Sequence, residues 1–225
     1  MIDVVVADPA AQIITNVVQY VHERPSQDIH IALTGGRAGQ VITTALFEAL
    51  GDNRHVHFWW SDERFVSRMD DDRTAPDTST WDLKCHIHAM LSSDEAPDAQ
   101  ASALDYASQL HRYTTTRFCA DNTMMDICIL SVGPDGHIAS LFPHHKELDS
   151  AAAVVTVMDS PKPPATRVTW TFQTINASRN VWLVASGSEK LQAVTALRSG
   201  ADLHDIPAAG ARGTIATLLY TDLPV

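Results

Sequence analysis

Apolar and polar positions follow two different periods along this chain. Short runs of consecutive apolar, largely β-branched residues occupy positions 2–7, 29–33, 56–60, 126–130, 153–157, 167–171 and 181–185. Between several of them the apolar positions recur every three to four residues, over 10–22, 41–50, 101–118 and 189–197. That spacing lays one apolar stripe along a helix. Strands covered on both faces read as unbroken apolar runs, so the alternation predicts an α/β fold with a largely parallel sheet and helices on both faces. Residues 67–79, rich in Asp, Arg, Thr and Pro, break the pattern. They read as a solvated loop or a flap, followed by a weaker helical pattern as far as residue 90. No linker, low-complexity tract or internal repeat divides the chain, so a single domain over residues 1–225 is expected.

Composition narrows the function. The chain carries 16 basic and 27 acidic residues, a net charge of −11, which argues against a general nucleic-acid binder. An anionic ligand would be opposed by the field of the whole protein, so a local cluster of Arg, Lys and backbone N–H groups would have to hold it. No run approaches the roughly 18 apolar residues of a membrane span, and the N-terminus has no basic head of a signal peptide. The three cysteines, Cys85, Cys119 and Cys128, are unclustered. They fit reduced thiols in a cytoplasmic protein and offer no good nucleophile. The expected assembly is a monomer or a small homo-oligomer.

Ligands of open α/β sheets bind at the carboxyl ends of strands, and four loops there are unusual. Thr34-Gly35-Gly36-Arg37-Ala38-Gly39 joins a strand to a helix. Its glycines allow close backbone approach, and the helix N-terminus attracts phosphate; an ordinary tight turn is the alternative. Ser61-Asp62-Glu63-Arg64 ends the strand HVHFWW. Arg64 suits two-pronged recognition of phosphate or carboxylate, and a salt-bridged loop is the alternative. Gly133-Pro134-Asp135-Gly136-His137 follows DICIL and can present an acid and a histidine, two residues apart, toward a cleft. Histidine titrates near neutrality and a carboxylate can orient it, which suits proton transfer. Arg167 follows the Pro161-Lys162-Pro163-Pro164 stretch, and Lys190 stands where a helix begins. A cation there opposes the helix dipole unless an anion sits beside it.

Other chemistries lack their spacing. Of the eleven histidines, His55/His57 and His86/His88 are i, i+2 pairs and His144/His145 are adjacent, with no HExxH or Cys/His cluster, so no metal is expected. No GxSxG elbow supports a serine hydrolase. Trp59 and Trp60 read as core rather than as a stacking platform.

Together the segments ALTGG, VHFWWSDERFV, VGPDGHIASLFP, DSPKPPATRVT and LVASGSEKLQAV, in this order over residues 32–194, resemble the 6-phosphogluconolactonase family. The resemblance implies a Rossmann-like α/β fold, with a twisted, largely parallel sheet, related to glucosamine-6-phosphate deaminases, ribose-5-phosphate isomerases and CoA transferases. It implies hydrolysis of a sugar-phosphate lactone without a cofactor. His137 would be the base that activates water, Asp135 its support and Arg64 a stabiliser of the oxyanion. Gly35, Gly36, Arg37, Asp62, Gly136, Arg167 and Lys190 would hold the substrate and its phosphate. The chain departs from the family pattern at Ser131, usually glycine, at Ala38-Gly39, commonly Thr-Pro, at Ser67, usually proline, and near Thr74, often asparagine. Two rivals stand beside this expectation. One is a deaminase or isomerase, whose DGH loop continues differently from Ala139-Ser140-Leu141-Phe142-Pro143. The other is a non-catalytic sugar-phosphate sensor.

Overall fold

Each central strand sends its alternate residues into two separate cores. In a computed structural model of the chain, the backbone of residues 2–121 and 123–224 and the side chains of residues 4–113 and 123–224 are described. Among them run β1 (Ile2–Val5), α1 (Pro9–His22), β2 (Ile29–Leu33), α2 (Gly36–Leu50), β3 (Val56–Trp60), β4 (Asp62–Arg64), β5 (His86–His88) and α3 (Ala99–Asp121). There follow β6 (Ile127–Ser131), β7 (Val154–Val157), β8 (Arg167–Trp170), α4 (Phe172–Ile175), β9 (Asn180–Ala185), α5 (Leu191–Arg198) and β10 (Ala216–Thr221). Ile29, Ile31, Leu33, Phe58, Trp60, Ile127 and Ile129 pack with Ile13, Val17, Ile42 and Leu46 of α1 and α2. The residues between them, Ala32, Trp59, Cys128 and Leu130, pack on the other face with Ala103, Tyr106 and Leu110 of α3 and with Ala193, Val194 and Leu197 of α5. Both tryptophans of HFWW are fully buried, one in each core.

The main sheet has the order β1-β10-β9-β6-β2-β3-β5 and every pairing in it is parallel. This is the parallel α/β sheet, helix-covered on both faces, that the hydrophobic pattern predicts. Two predicted strands lie elsewhere. β7 and β8 pair antiparallel with each other, and β8 with β4, in a separate three-stranded sheet. The chain between them, residues 158–166, is shorter than the dozen or more residues a parallel crossover takes.

Three strands, β4, β5 and β10, lie where the pattern predicts none. The helical pattern running to residue 90 does not form a helix; β5 stands there, as the sheet's edge beside β3. α2 begins at Gly36, five residues before the predicted start, so the glycine turn is itself the helix N-terminus. Cys85 and Cys128 are buried free thiols, and burial pushes the Cys128 thiol up to about 12. The Cys119 side chain lies outside the described residues.

The histidine pairs form a ladder. His30, His57 and His86 are register partners across β2, β3 and β5. Their rings stack at 4.3 and 4.2 Å. His88 stacks on Trp59 at 3.8 Å, and its Nε2 lies 3.0 Å from His57 Nδ1. Burial first, then the His57 and His86 charges, pushes the His88 pKa from 6.5 down to about 3. The folded value lies below the unfolded one. This group's share of stability is therefore complete above about pH 6.5 and is lost as the pH falls from there toward 3, at up to about 1.4 kcal/mol per pH unit. Urea melts at pH 5 should give an unfolding free energy about 2 kcal/mol below the pH 7 value on account of His88. His88→Gln should remove that share, and an unchanged acid slope would place the sensitivity elsewhere.

Candidate active site

The site follows from the direction of the sheet. β2 and β6 are neighbours, but the chain continues from β2 to β3 on one side and from β6 to β9 on the other. The loops after them diverge and leave a crevice at their carboxyl ends. A cavity of about 420 Å³ occupies it, lined by Thr34–Ala38 after β2, Asp62 and Arg64 of β4, Ser131–Pro134, His137 and Ala139 after β6, Arg167 of β8, and Ser186, Gly187, Glu189 and Lys190 after β9.

Part of this lining offers donors that an anion could use. Gly36 opens α2 with φ +76°, a left-handed conformation that costs glycine nothing. The cap position, Gly35, brings no side-chain hydrogen bond, so the first N–H groups of α2 stay open. Lys190 caps α5 from the turn Ser188–Lys190, and its Nζ donates to Ser131 Oγ at 3.4 Å. Burial lowers its pKa, the signature of an ammonium short of solvent. The Ser131 backbone N–H donates to Thr34 Oγ1 at 2.9 Å and ties the ends of β2 and β6 together.

The same lining holds a histidine paired with an acid. His137 Nδ1 is bonded to Asp135 Oδ1, which leaves Nε2 free of that bond, and the ring lines the cavity. Gly133 makes this possible. A Cβ there would lie 2.0 Å from His137 Nδ1 and Cε1. The next loop residues are equally constrained, with Ala139 at φ +49° on the cavity wall. Burial pushes the Asp135 carboxyl up, but the His137 hydrogen bond and the His137 and Lys162 charges outweigh it and hold it well below the usual carboxylate range. Lys162 Nζ lies 3.2 Å from His137 Nδ1 and 3.4 Å from Asp135 Oδ1. Arg167 is 4% exposed, and burial lowers its pKa. Its Nε and Nη2 donate to the carbonyls of Pro164, Lys162 and Pro163 at 3.0–3.1 Å. Three of its five donors thus shape the proline loop, which leaves Nη1 for a ligand.

Residues 67–79 are stitched to the site rather than loose. Glu63 is buried, and its two oxygens accept from the backbone N–H of Arg64, Thr74 and Ala75, each at 2.8 Å. Arg73 Nε lies 3.8 Å from the same carboxylate and Nη2 donates to Met90 O at 2.7 Å. Burial raises the Glu63 pKa, against the Arg73 charge and the three N–H groups. The clamp sets Thr74 over the Gly35 turn and lets Asp72 O accept from Arg64 Nη1 at 2.6 Å. Ser67 Oγ is equally engaged, donating to Asp94 at 2.7 Å. Asp62 Oδ2 accepts from Ser140 Oγ at 2.7 Å, which joins β4 to the histidine loop.

Comparison with known proteins places this arrangement. Residues 3–219 match the family model of glucosamine-6-phosphate isomerases/6-phosphogluconolactonase. The chain belongs to that family. It is 37% identical to a 6-phosphogluconolactonase of Streptomyces coelicolor, over 95% of this chain and 86% of the relative. It is 39% identical to one of Mycobacterium tuberculosis, over 85% of this chain and 81% of the relative. The crystal structure of a 6-phosphogluconolactonase from Thermotoga maritima superposes with a TM-score of 0.80 over 98% of both chains; at 23% identity this speaks for the fold.

Of the residues singled out in the sequence, Gly35, Gly36, Arg37, Asp62, Arg64, His137, Arg167 and Lys190 line the one cavity. Asp135 lies behind His137. Gly136 is off the wall: it closes the turn by donating to Gly133 O at 3.0 Å, and its own carbonyl accepts from Ala208. Lys162, Ser131 and Glu63 join the site by contacts that no local pattern announces. Glu63→Ala would leave three backbone N–H groups and the buried Arg73 without their acceptor. It should lower stability by about 3–5 kcal/mol, the cost of breaking a buried ion pair, with Glu63→Gln milder. Equal melts for the parent and the alanine variant would show that the clamp holds nothing.

Proposed function

We infer that this chain is a hydrolase that opens 6-phosphoglucono-δ-lactone to 6-phosphogluconate, the lactonase step of the oxidative pentose phosphate pathway. The observation that carries the inference is a histidine buttressed by an acid that shares one cavity lining with a helix N-terminus, Lys190 and Arg167, in a chain 37–39% identical over most of its length to proteins named for that activity. We take residues 1–225 as one catalytic domain working in the cytoplasm. No described helix is long and apolar enough to cross a membrane.

The geometry supplies the steps. The phosphate is held between the N-terminus of α2, Lys190 and the Nη1 side of Arg167, with Arg37 at the rim. This end anchors the sugar and aims its carbonyl carbon at His137. Nε2 takes a proton from water as the water oxygen bonds to that carbon. Arg64 and backbone N–H groups of the cavity wall stabilise the developing oxyanion. On collapse the bond from the carbonyl carbon to the ring oxygen breaks, and the proton on Nε2 passes to that oxygen. The product is the open acid, which sheds its proton to solvent. Asp135 keeps the proton of the resting ring on Nδ1, so the lone pair faces the substrate. The derived steps use only side chains, backbone and water.

A lactonase assay corrected for spontaneous hydrolysis tests the function. Ammonia release from glucosamine 6-phosphate in its place would make the protein a deaminase, and product binding without turnover would make it a sensor. Within a working lactonase, His137→Ala should lower turnover by about 10²–10⁴-fold while product binding persists. His137→Asn should be comparably slow and Asp135→Asn less so. A folded alanine variant with the parent rate would remove His137 from the mechanism. Arg167→Ala or Lys190→Ala should weaken binding of 6-phosphogluconate by about 1.5–3 kcal/mol, as for a charge-assisted contact. Unchanged affinity in both would take the phosphate elsewhere.

A further inference from the structure

His137 Nδ1 has two neighbours that make opposite demands on it. Asp135 Oδ1 only accepts, so it needs a proton on Nδ1. The Lys162 ammonium, 3.2 Å away, only donates, so it needs Nδ1 bare. One nitrogen cannot satisfy both. The water-activating form carries its lone pair on Nε2 and its proton on Nδ1, bonded to Asp135. In that form Lys162 donates instead to Asp135 Oδ1, 3.4 Å away, and stands as a positive charge against the imidazole.

We propose that Lys162 is a positioning residue of the hydrolysis, one that sets how readily His137 holds and releases the transferred proton. The proposal rests on His137 acting as the base. Asp135 alone would stabilise the imidazolium and favour keeping the proton that must next go to the ring oxygen. The Lys162 charge offsets this, shared onto Asp135 and close to the ring. A base works best when it both accepts and returns the proton near the working pH.

An ordinary surface ion pair does not look like this one. The Lys162 backbone is fixed on both sides, its carbonyl accepting from Arg167 Nη2 at 3.0 Å and from Ser160 Oγ at 2.8 Å, and its N–H donating to Ser160 Oγ at 3.3 Å. Its ammonium is directed at the acid–base pair although the side chain is 40% exposed. Arg167, which lines the cavity, thereby also sets the lysine. The other charges that share the cavity lining with His137 are Arg37 at the start of α2, Arg64 and Asp62 on β4, Arg167 on β8, and Lys190 with Glu189 after β9. Behind Phe142, His145 stands near Glu147 and Asp159. All of these stay in place when Lys162 is replaced.

The test is the acidic limb of kcat/KM, where the base becomes protonated. Lys162→Gln should move it to higher pH by about half to one unit, the scale of one partly solvated charge at this distance. Turnover two units below the parent limb should fall about three- to tenfold accordingly. Lys162→Arg should leave the limb where it is. A Gln limb that overlays the parent's, or an Arg limb displaced as far as the Gln limb, overturns the proposal. NMR titration of the His137 ring nitrogens reads the same displacement without turnover. A parent protein with no lactonase activity would refute the proposed function instead, and the ring titration would still decide the role of Lys162.

Discussion

A parallel sheet has a direction, and everything at this site depends on it. Because all seven strands of the main sheet run the same way, the loops that follow β2, β6 and β9 emerge on one side. The reversal of strand order between β2 and β6 parts those loops and leaves the crevice. Thr34, at the end of β2, accepts the Ser131 N–H at the end of β6, so the floor of the crevice is fixed by the sheet itself. The anion cradle hangs from β2 and β9, and the histidine loop hangs from β6. Neither can be moved without moving the core, since Ile31, Leu33, Ile129 and Leu130 are fully buried.

The small antiparallel sheet adds what the main sheet cannot. It brings β4 and β8 across the mouth of the crevice, with Arg64 and Arg167 as register partners. Two guanidiniums side by side repel, and each is settled by carbonyls: Asp72 O for Arg64, and those of residues 162–164 for Arg167. These contacts turn charge into scaffolding. The arginines order the two irregular segments that flank the site and keep donors to spare for a ligand. Glu63, between Asp62 and Arg64, faces the other way and binds backbone. Three consecutive charges after a tryptophan pair thus serve three ends: Asp62 holds the histidine loop, Glu63 holds residues 73–75, and Arg64 faces the cavity.

Much of this was legible in the sequence, because period and turn chemistry are local. The bounds of β2 and β3 match their apolar runs, and the glycine turn, the Asp135–His137 pair and Lys190 all stand at strand ends as their spacing implies. What was not legible depends on distant partners. β5 is three residues long and polar at both ends, His86 and His88, so it shows no strand pattern; pairing with β3 makes it one. β10 pairs between β1 and β9, one strand in from the sheet edge, although its own residues, ATLLYT, have ordinary strand character. Residues 67–79 look loose by composition, yet they are held by Glu63 through backbone contacts that the run of charges at 62–64 does not reveal. Lys162 is likewise unremarkable in a proline-rich stretch until Arg167 folds that stretch back onto Asp135.

Net charge and local charge pull in opposite directions here, and range decides between them. The chain carries −11 overall, yet Arg37, Arg64, Arg167 and Lys190 all line one cavity. At physiological ionic strength the field of scattered surface carboxylates fades over about 8 Å. A phosphate approaching from solution therefore meets only weak opposition until it nears the crevice. Inside, the low-dielectric walls strengthen attraction to cations that are partly shielded from water, and the same burial lowers the Lys190 and Arg167 pKa. A phosphate in that position returns to those groups the partner that burial took from solvent. On the proposed function, binding energy released at these cations would be available to hold the carbonyl carbon against His137, where uniform surface attraction could not direct it.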